Sequence, residues 1–250
     1  MITNHVPNTW RDLQSEVARI LGECGFSVEI EKPVETARGK VVIDVYAEET
    51  VKGRKYVILC ECKHWKRRVP KSVIHSFRTV ISDIGANAGY IVSLAGFQSG
   101  AHEATAHTNL ELVTWEQLQS SFEETWFDTY FSPSIAEELD ALLTYTEPIL
   151  PRWFSDLPEE EKNQFIELKK KHDPFGWMIM MCTPYLRMVN KEARVALPII
   201  NRVQSQKEIM ESVPVAILQA SGYREFCELA IQHGRVIIEK FRAFRPHNSS

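Results

Sequence analysis

The chain has 250 residues, 44% hydrophobic, 25% charged and 10% aromatic, which excludes a disordered tail, a collagen-like fibre and a disulfide-stapled miniprotein. That length holds one large domain or two modest ones. Lysine and arginine number 29 against 33 acids, a formal charge of −4 that names no partner by itself. Five cysteines in no fixed pattern point to a reducing cytoplasm. The start, MITNHVPNTWRDLQ, has no basic stretch leading into an apolar core, and the uncharged run 174–186 is too short for a bilayer. The expectation is a cytoplasmic protein with no membrane partner.

In chain order, Asn8 or Thr9 can cap a helix with Trp10, Leu13, Val17, Ile20 and Leu21 on one face, stopped by Gly22 or Gly25. Residues 26–30 read as a short strand. Residues 40–47 alternate, with Val41, Ile43, Val45 and Ala47 on one side and Val42, Asp44 and Tyr46 on the other. Residues 56–63 likewise set Tyr56, Ile58, Cys60 and Cys62 against Val57, Leu59, Glu61 and Lys63. Pro70 suits the first turn of a helix carrying Val73, Phe77, Val80, Ile81 and Ile84. A strand at 89–94, a helix at 97–107 and a strand at 110–114 complete a mixed α/β domain over 1–120. The start of the 97–107 helix is a candidate place for backbone N–H groups to meet a phosphate.

From Glu116 onward the strand signal disappears. Helices are expected at 132–145, 158–171, 175–189, 191–203 (with Pro198 inside it) and 223–244, forming an all-α domain over 121–250. With 15 basic and 19 acidic residues, this half suits assembly with a second copy or docking of a partner protein better than nucleic-acid binding. The run Trp177-Met-Ile-Met-Met-Cys182 reads as core or as a partner groove.

Charge within the first half is uneven. Residues 52–78 hold nine basic side chains and one acid, Glu61, a footprint for a polyanion or a solvated basic face. If the strands flanking Lys52-Gly53 form a hairpin with that pair as its turn, Asp44 falls directly opposite Glu61, with Cβ atoms roughly 5 Å apart. Lys63 projects from the same face as Glu61. Two carboxylates that close repel unless a cation lies between them. Hard oxygen ligands with an open remaining sphere suit Mg²⁺, with Mn²⁺ as a substitute. Such a site acts on phosphodiesters, Lys63 countering charge that develops on phosphorus; the competing reading is a structural ion network on the sheet surface. Cys60 and Cys62 face away and read as core, and His102 and His107 do not share a helix face.

The stretch VVIDVYAEE…KYVILCECKHW resembles the active-site signature of the PD-(D/E)xK nuclease superfamily. Within it, the segments LQSEVARILGECGF, RGKVVIDV, CECKHWKRRVP, GANAGYIVSLAGFQSGAHEAT and LELVTW are similar to the Mrr-like branch of restriction endonucleases, over residues 10–118. The resemblance implies a restriction-endonuclease-like mixed sheet flanked by helices and a metal-dependent endonuclease acting on DNA, plausible as an antiviral defence effector. Asp44 and Glu61 would be metal ligands and Lys63 the catalytic amine. Many members add a glutamate from the first helix; the matching position here is Gln14, uncharged. His64, Lys66, Arg67, Arg68 and Lys71 are the candidate nucleic-acid contacts, with duplex DNA the expected partner. The alternative is an inactive nuclease fold kept as a nucleic-acid-binding or protein-interaction module.

Overall fold

The computed structural model describes residues 1–189 and 194–245. The backbone forms two compact units, residues 5–129 with Met1, and residues 130 onward with 2–4. The first is built on a five-stranded sheet in the order β1-β2-β3-β4-β5. Its strands are β1 (Ser27–Thr36), β2 (Gly39–Val51), β3 (Arg54–Lys63), β4 (Ala88–Ser93) and β5 (Leu110–Thr114). The first three are antiparallel neighbours, and β4 and β5 add in parallel, so the sheet is mixed as expected.

Helix α1 (Trp10–Glu23) starts where the Thr9 hydroxyl accepts the Asp12 N–H at 3.1 Å, so of the two caps the sequence offered, Asn8 and Thr9, the second is used. It buries Leu13, Val17, Ile20 and Leu21. Helix α2 (Lys71–Ile84) begins one residue after Pro70, which is its cap rather than part of its first turn. Its Ile74, Phe77 and Ile81 pack with Val57, Leu59, Ile91 and Leu112 on one face of the sheet. Val45, Ala47, Cys60, Cys62 and Val92 have the opposite parity and are buried on the other face, which α1 and α3 (Trp115–Trp126) cover. Each such aliphatic burial supplies roughly 1.5–3 kcal/mol, so both faces are specified and the register cannot slip cheaply.

The expected helix at 97–107 does not form. Phe97 makes a parallel bridge with Val69, the Gln98 N–H donates to the Val69 carbonyl at 3.1 Å, and only His102–Thr105 is helical, as a 3₁₀ turn. The two glycines flanking the stretch, Gly96 at φ 73° and Gly100 at φ 74°, bend the chain out of helical geometry. The proposed phosphate-facing helix start therefore does not exist.

The second unit is helical, with α4 (Ser132–Thr146), α5 (Glu159–Met180), α6 (Pro184–Val189), α7 (Ile200–Val203), α8 (Lys207–Ser212), α9 (Val215–Gln219) and α10 (Tyr223–Arg242). The helices expected at 158–171 and 175–189 are redrawn, because Pro174 lies inside the continuous α5. Flanking Phe165, Phe175 and Ile179 are fully buried, and that packing outweighs the roughly 3 kcal/mol a mid-helix proline costs. Of the expected helix at 191–203, residues 191–193 lie outside the described residues; of the rest only α7 is helical, and Pro198 precedes it. Phe165 anchors the core, with ring centroids 5.2–5.7 Å from Trp153, Phe154, Phe241 and Phe244. The methionine-rich run splits, Met178, Ile179 and Cys182 facing inward while Trp177 and Met181 are exposed. Among the described residues no helix is long and apolar enough to cross a membrane, and all five cysteines are free and buried.

Candidate active site

The β2–β3 hairpin turns at Lys52 (φ 51°) and Gly53 (φ 78°), the two-residue positive-φ turn whose twist matches that of paired strands. Its register runs from Val51↔Arg54 to Val45↔Cys60, so its next step sets Asp44 across from Glu61, the juxtaposition expected from the sequence. Here the strands part. The Asp44 Oδ2 accepts the Cys62 N–H at 2.7 Å in place of a ladder bond.

The same point disturbs the other neighbour. β1 pairs with β2 through Ile30↔Val45 and again through Lys32↔Ile43, skipping Glu31, which sits at φ 52°. Strict alternation on β2 fails there. Ile43 and Tyr46, three residues apart, both join the core under α2, whereas the sequence put them on opposite faces. This break lets residues of α1 as well as β3 reach Asp44.

Asp44 is 9% exposed. Burial pushes its carboxyl up; the Cys62 N–H, the Lys63 ammonium and the side chains of Trp10 and Gln14 act the other way. Glu61 is likewise raised, by burial first and then by the Asp44 charge, with Lys63 countering. Lys63 forms an ion pair with Glu61, and its ammonium stands 5.3 Å from the centre of the Trp65 ring. Gln14 is 1% exposed, and its amide nitrogen meets hydrogen-bond geometry with no partner even though it lies close enough to Asp44 to favour the charged form. A buried and a half-buried carboxylate that repel each other are what a divalent cation would relieve. The donor set fits: Asp44 and Glu61 supply hard oxygens, and Gln14 can supply its carbonyl.

Trp10 was legible only as an apolar helix position. Lying four residues before Gln14, it shares that residue's helix face, and this spacing is the signal that marks it. Ser93, fully buried, was also unmarked; it pairs with Lys63 across the parallel β3–β4 ladder and donates to the Gly96 carbonyl at 3.2 Å. Cys60 and Cys62 are fully buried, and burial raises both thiols.

The basic run does not make one patch. Lys52, Arg54 and Lys55 sit at the hairpin turn, where Lys55 pairs with Glu48. Lys63 lies at the far end of the ten-residue β3, roughly 30 Å away at about 3.3 Å per residue. Beyond Lys63, the exposed Lys66, Arg67 and Arg68 lead from the site, with the Arg67 guanidinium 5.8 Å from the Trp65 ring centre. Lys71 faces Glu103 at 3.3 Å. The His64 Nε2 lies 3.2 Å from the Pro7 carbonyl, so this ring already has a protein partner. His102 stacks edge-on against Phe97 at 5.8 Å rather than joining His107.

A family model described as restriction endonuclease, of the Mrr catalytic type, matches residues 7–122. No curated protein matches. Among solved structures, a crystal structure of a protein of unknown function, AF1548, is similar at 18% identity and a TM-score of 0.38, over 65% of this chain and 97% of that one. The family match spans α1, the whole sheet, α2 and most of α3, and it encloses Gln14, Asp44, Glu61 and Lys63. Folds of this type generally use divalent metal ions. Residues 7–122 thus match a restriction endonuclease domain of the Mrr type, a likeness that supports a nuclease.

Proposed function

We propose that this domain hydrolyses phosphodiester bonds of duplex DNA with Mg²⁺, and that Asp44, Glu61 and Lys63 carry the reaction. The observation behind the reading is the convergence of these three side chains where β2 and β3 part, with exposed Lys66, Arg67 and Arg68 directly downstream. When bound, the cation would supply Lewis acidity at the scissile phosphate. Asp44 and Glu61 would hold it, with the Cys62 N–H fixing the Asp44 carboxylate. The Lys63 ammonium, steered by Glu61 and the Trp65 ring, would offset charge gathering on the phosphoryl oxygens.

Lys66, Arg67 and Arg68 would hold the backbone without reading bases. The family resemblance supports a role against foreign DNA. The helical unit, with an acidic balance, suits assembly with a second copy or a partner protein. The test is incubation of the purified protein with supercoiled and linear DNA under Mg²⁺, under Mn²⁺ and under EDTA. Cleavage with either metal and none with EDTA is expected; no cleavage under any metal would overturn the reading.

A further inference from the structure

We propose a second cation site in the nuclease domain, formed by His5, Asp12 and Glu16, that binds a borderline transition cation such as Zn²⁺. Asp12 and Glu16 lie one helical turn apart on α1, outside its buried face, and His5 stands on the segment leading into the helix. One imidazole nitrogen and one oxygen from each carboxylate lie within 4.8 Å of one another. The His5 Nε2 and Asp12 Oδ2 are hydrogen-bonded at 3.0 Å, and opening this pair by a few tenths of an ångström gives the roughly 3.4 Å between two ligands of a tetrahedral ion. An imidazole beside two carboxylates favours a transition cation over the all-oxygen preference of Mg²⁺. The chemistry thus differs from that of Asp44 and Glu61.

The ligands are held from behind. The His5 carbonyl accepts the indole N–H of Trp115 at 3.0 Å, and Trp115 is 1% exposed. The Asp12 carboxylate accepts the Asn8 N–H at 2.7 Å, an outer partner of the kind that orients metal-ligating groups. The same N–H, with the His5 ring and against a smaller effect of burial, holds Asp12 below the usual carboxylate range, ready as a ligand. The positive end of α1 opposes a cation here, and the two carboxylates offset it. Three protein ligands leave the remaining positions to water.

Its consequence is mechanical. The bound cation fastens residues 5–9 to α1, and the Pro7 carbonyl in that segment receives the ring of His64, next to Lys63. The site acts as a clamp beside the strand end that carries the amine.

The test is a competition titration of Zn²⁺ against a chromophoric chelator, on tag-free intact protein in excess Mg²⁺. One Zn²⁺ per chain is expected in the wild type and in Asp44→Ala, which keeps this readout independent of the catalytic reading. His5→Ala and Glu16→Gln should each weaken binding by more than the roughly 10–100-fold that losing an outer partner costs. X-ray absorption of the loaded protein should show one imidazole among light oxygen ligands. Zn²⁺ that binds equally well to the His5→Ala, Glu16→Gln double variant, or that is lost in Asp44→Ala, would overturn the site. So would a wild type that takes up no Zn²⁺. Both substituted side chains are partly exposed, and circular dichroism checks that the fold is kept.

Discussion

Asp44 is the residue on which the nuclease reading turns, because it ties its own β2 to two further elements: β3, through the Cys62 N–H and Lys63, and α1, through Trp10 and Gln14. Replacing it with alanine should abolish metal-dependent nicking, and Lys63→Ala should do the same with the fold intact. Losing one such interaction raises the barrier by about 3–4 kcal/mol, a hundredfold or more in rate. A plasmid-nicking time course measures this, and full activity in Asp44→Ala would refute the assignment. Gln14→Glu should tighten divalent-cation binding, since it puts a charge at a position already turned toward Asp44. Calorimetric titration with Mn²⁺ reads this out; an unchanged affinity would remove Gln14 from the cation's neighbourhood.

At the scale of elements, the hairpin sets the site. Its turn needs positive φ at two successive positions, and Gly53 at φ 78° takes the second without strain. Gly53→Ala should cost roughly 1–2 kcal/mol, read as a lower urea midpoint with an unchanged slope. The segment after β3 carries the proposed DNA contacts. If Arg67 and Arg68 touch phosphates, each contact contributes about −0.9 to the log–log salt slope on duplex DNA. Arg67→Ala with Arg68→Ala should lower that slope by about 1–2 units and weaken unrelated sequences alike. Fluorescence anisotropy across a salt series decides it, and loss on one sequence alone would make them base readers.

At the scale of the whole molecule, the helical unit carries its own pH sensitivity. His172 is 3% exposed, and neither ring nitrogen has a hydrogen-bond partner. Burial, with Lys240, His233 and Lys171 adding repulsion, pushes its pKa down to about 4. His233, whose ring centre lies 6.4 Å away, shifts the same way through burial and Lys240. The unfolded chain binds a proton near pH 6.5, so stability should be full above that pH. It should fall as pH drops toward about 4, by about 3 kcal/mol for His172 if the pocket does not relax. Thermal unfolding between pH 7 and 4 should show this loss, and His172→Leu should flatten it. An equal acid loss in the variant would place the sensitivity elsewhere.

What the sequence alone determined was what is local. The Lys52-Gly53 turn specifies its own φ values, and with the strand alternation it fixed the register that brings Asp44 to Glu61. The Thr9 cap and the apolar spacing of α1 did the same for the first helix. What only the tertiary structure decided depends on partners distant in sequence. The skipped pair at Glu31 breaks β2 alternation and opens Asp44 to Trp10 and Gln14, and no period-two pattern encodes that break. Residues 97–101 gave up a helix because Val69 offered Phe97 and Gln98 a strand-like partner. Pro174 stayed inside α5 because the burial of Phe165, Phe175 and Ile179 outweighs a missing N–H. Local propensity amounts to about a kcal/mol per residue; burial of several large side chains exceeds it, and there the packing chose.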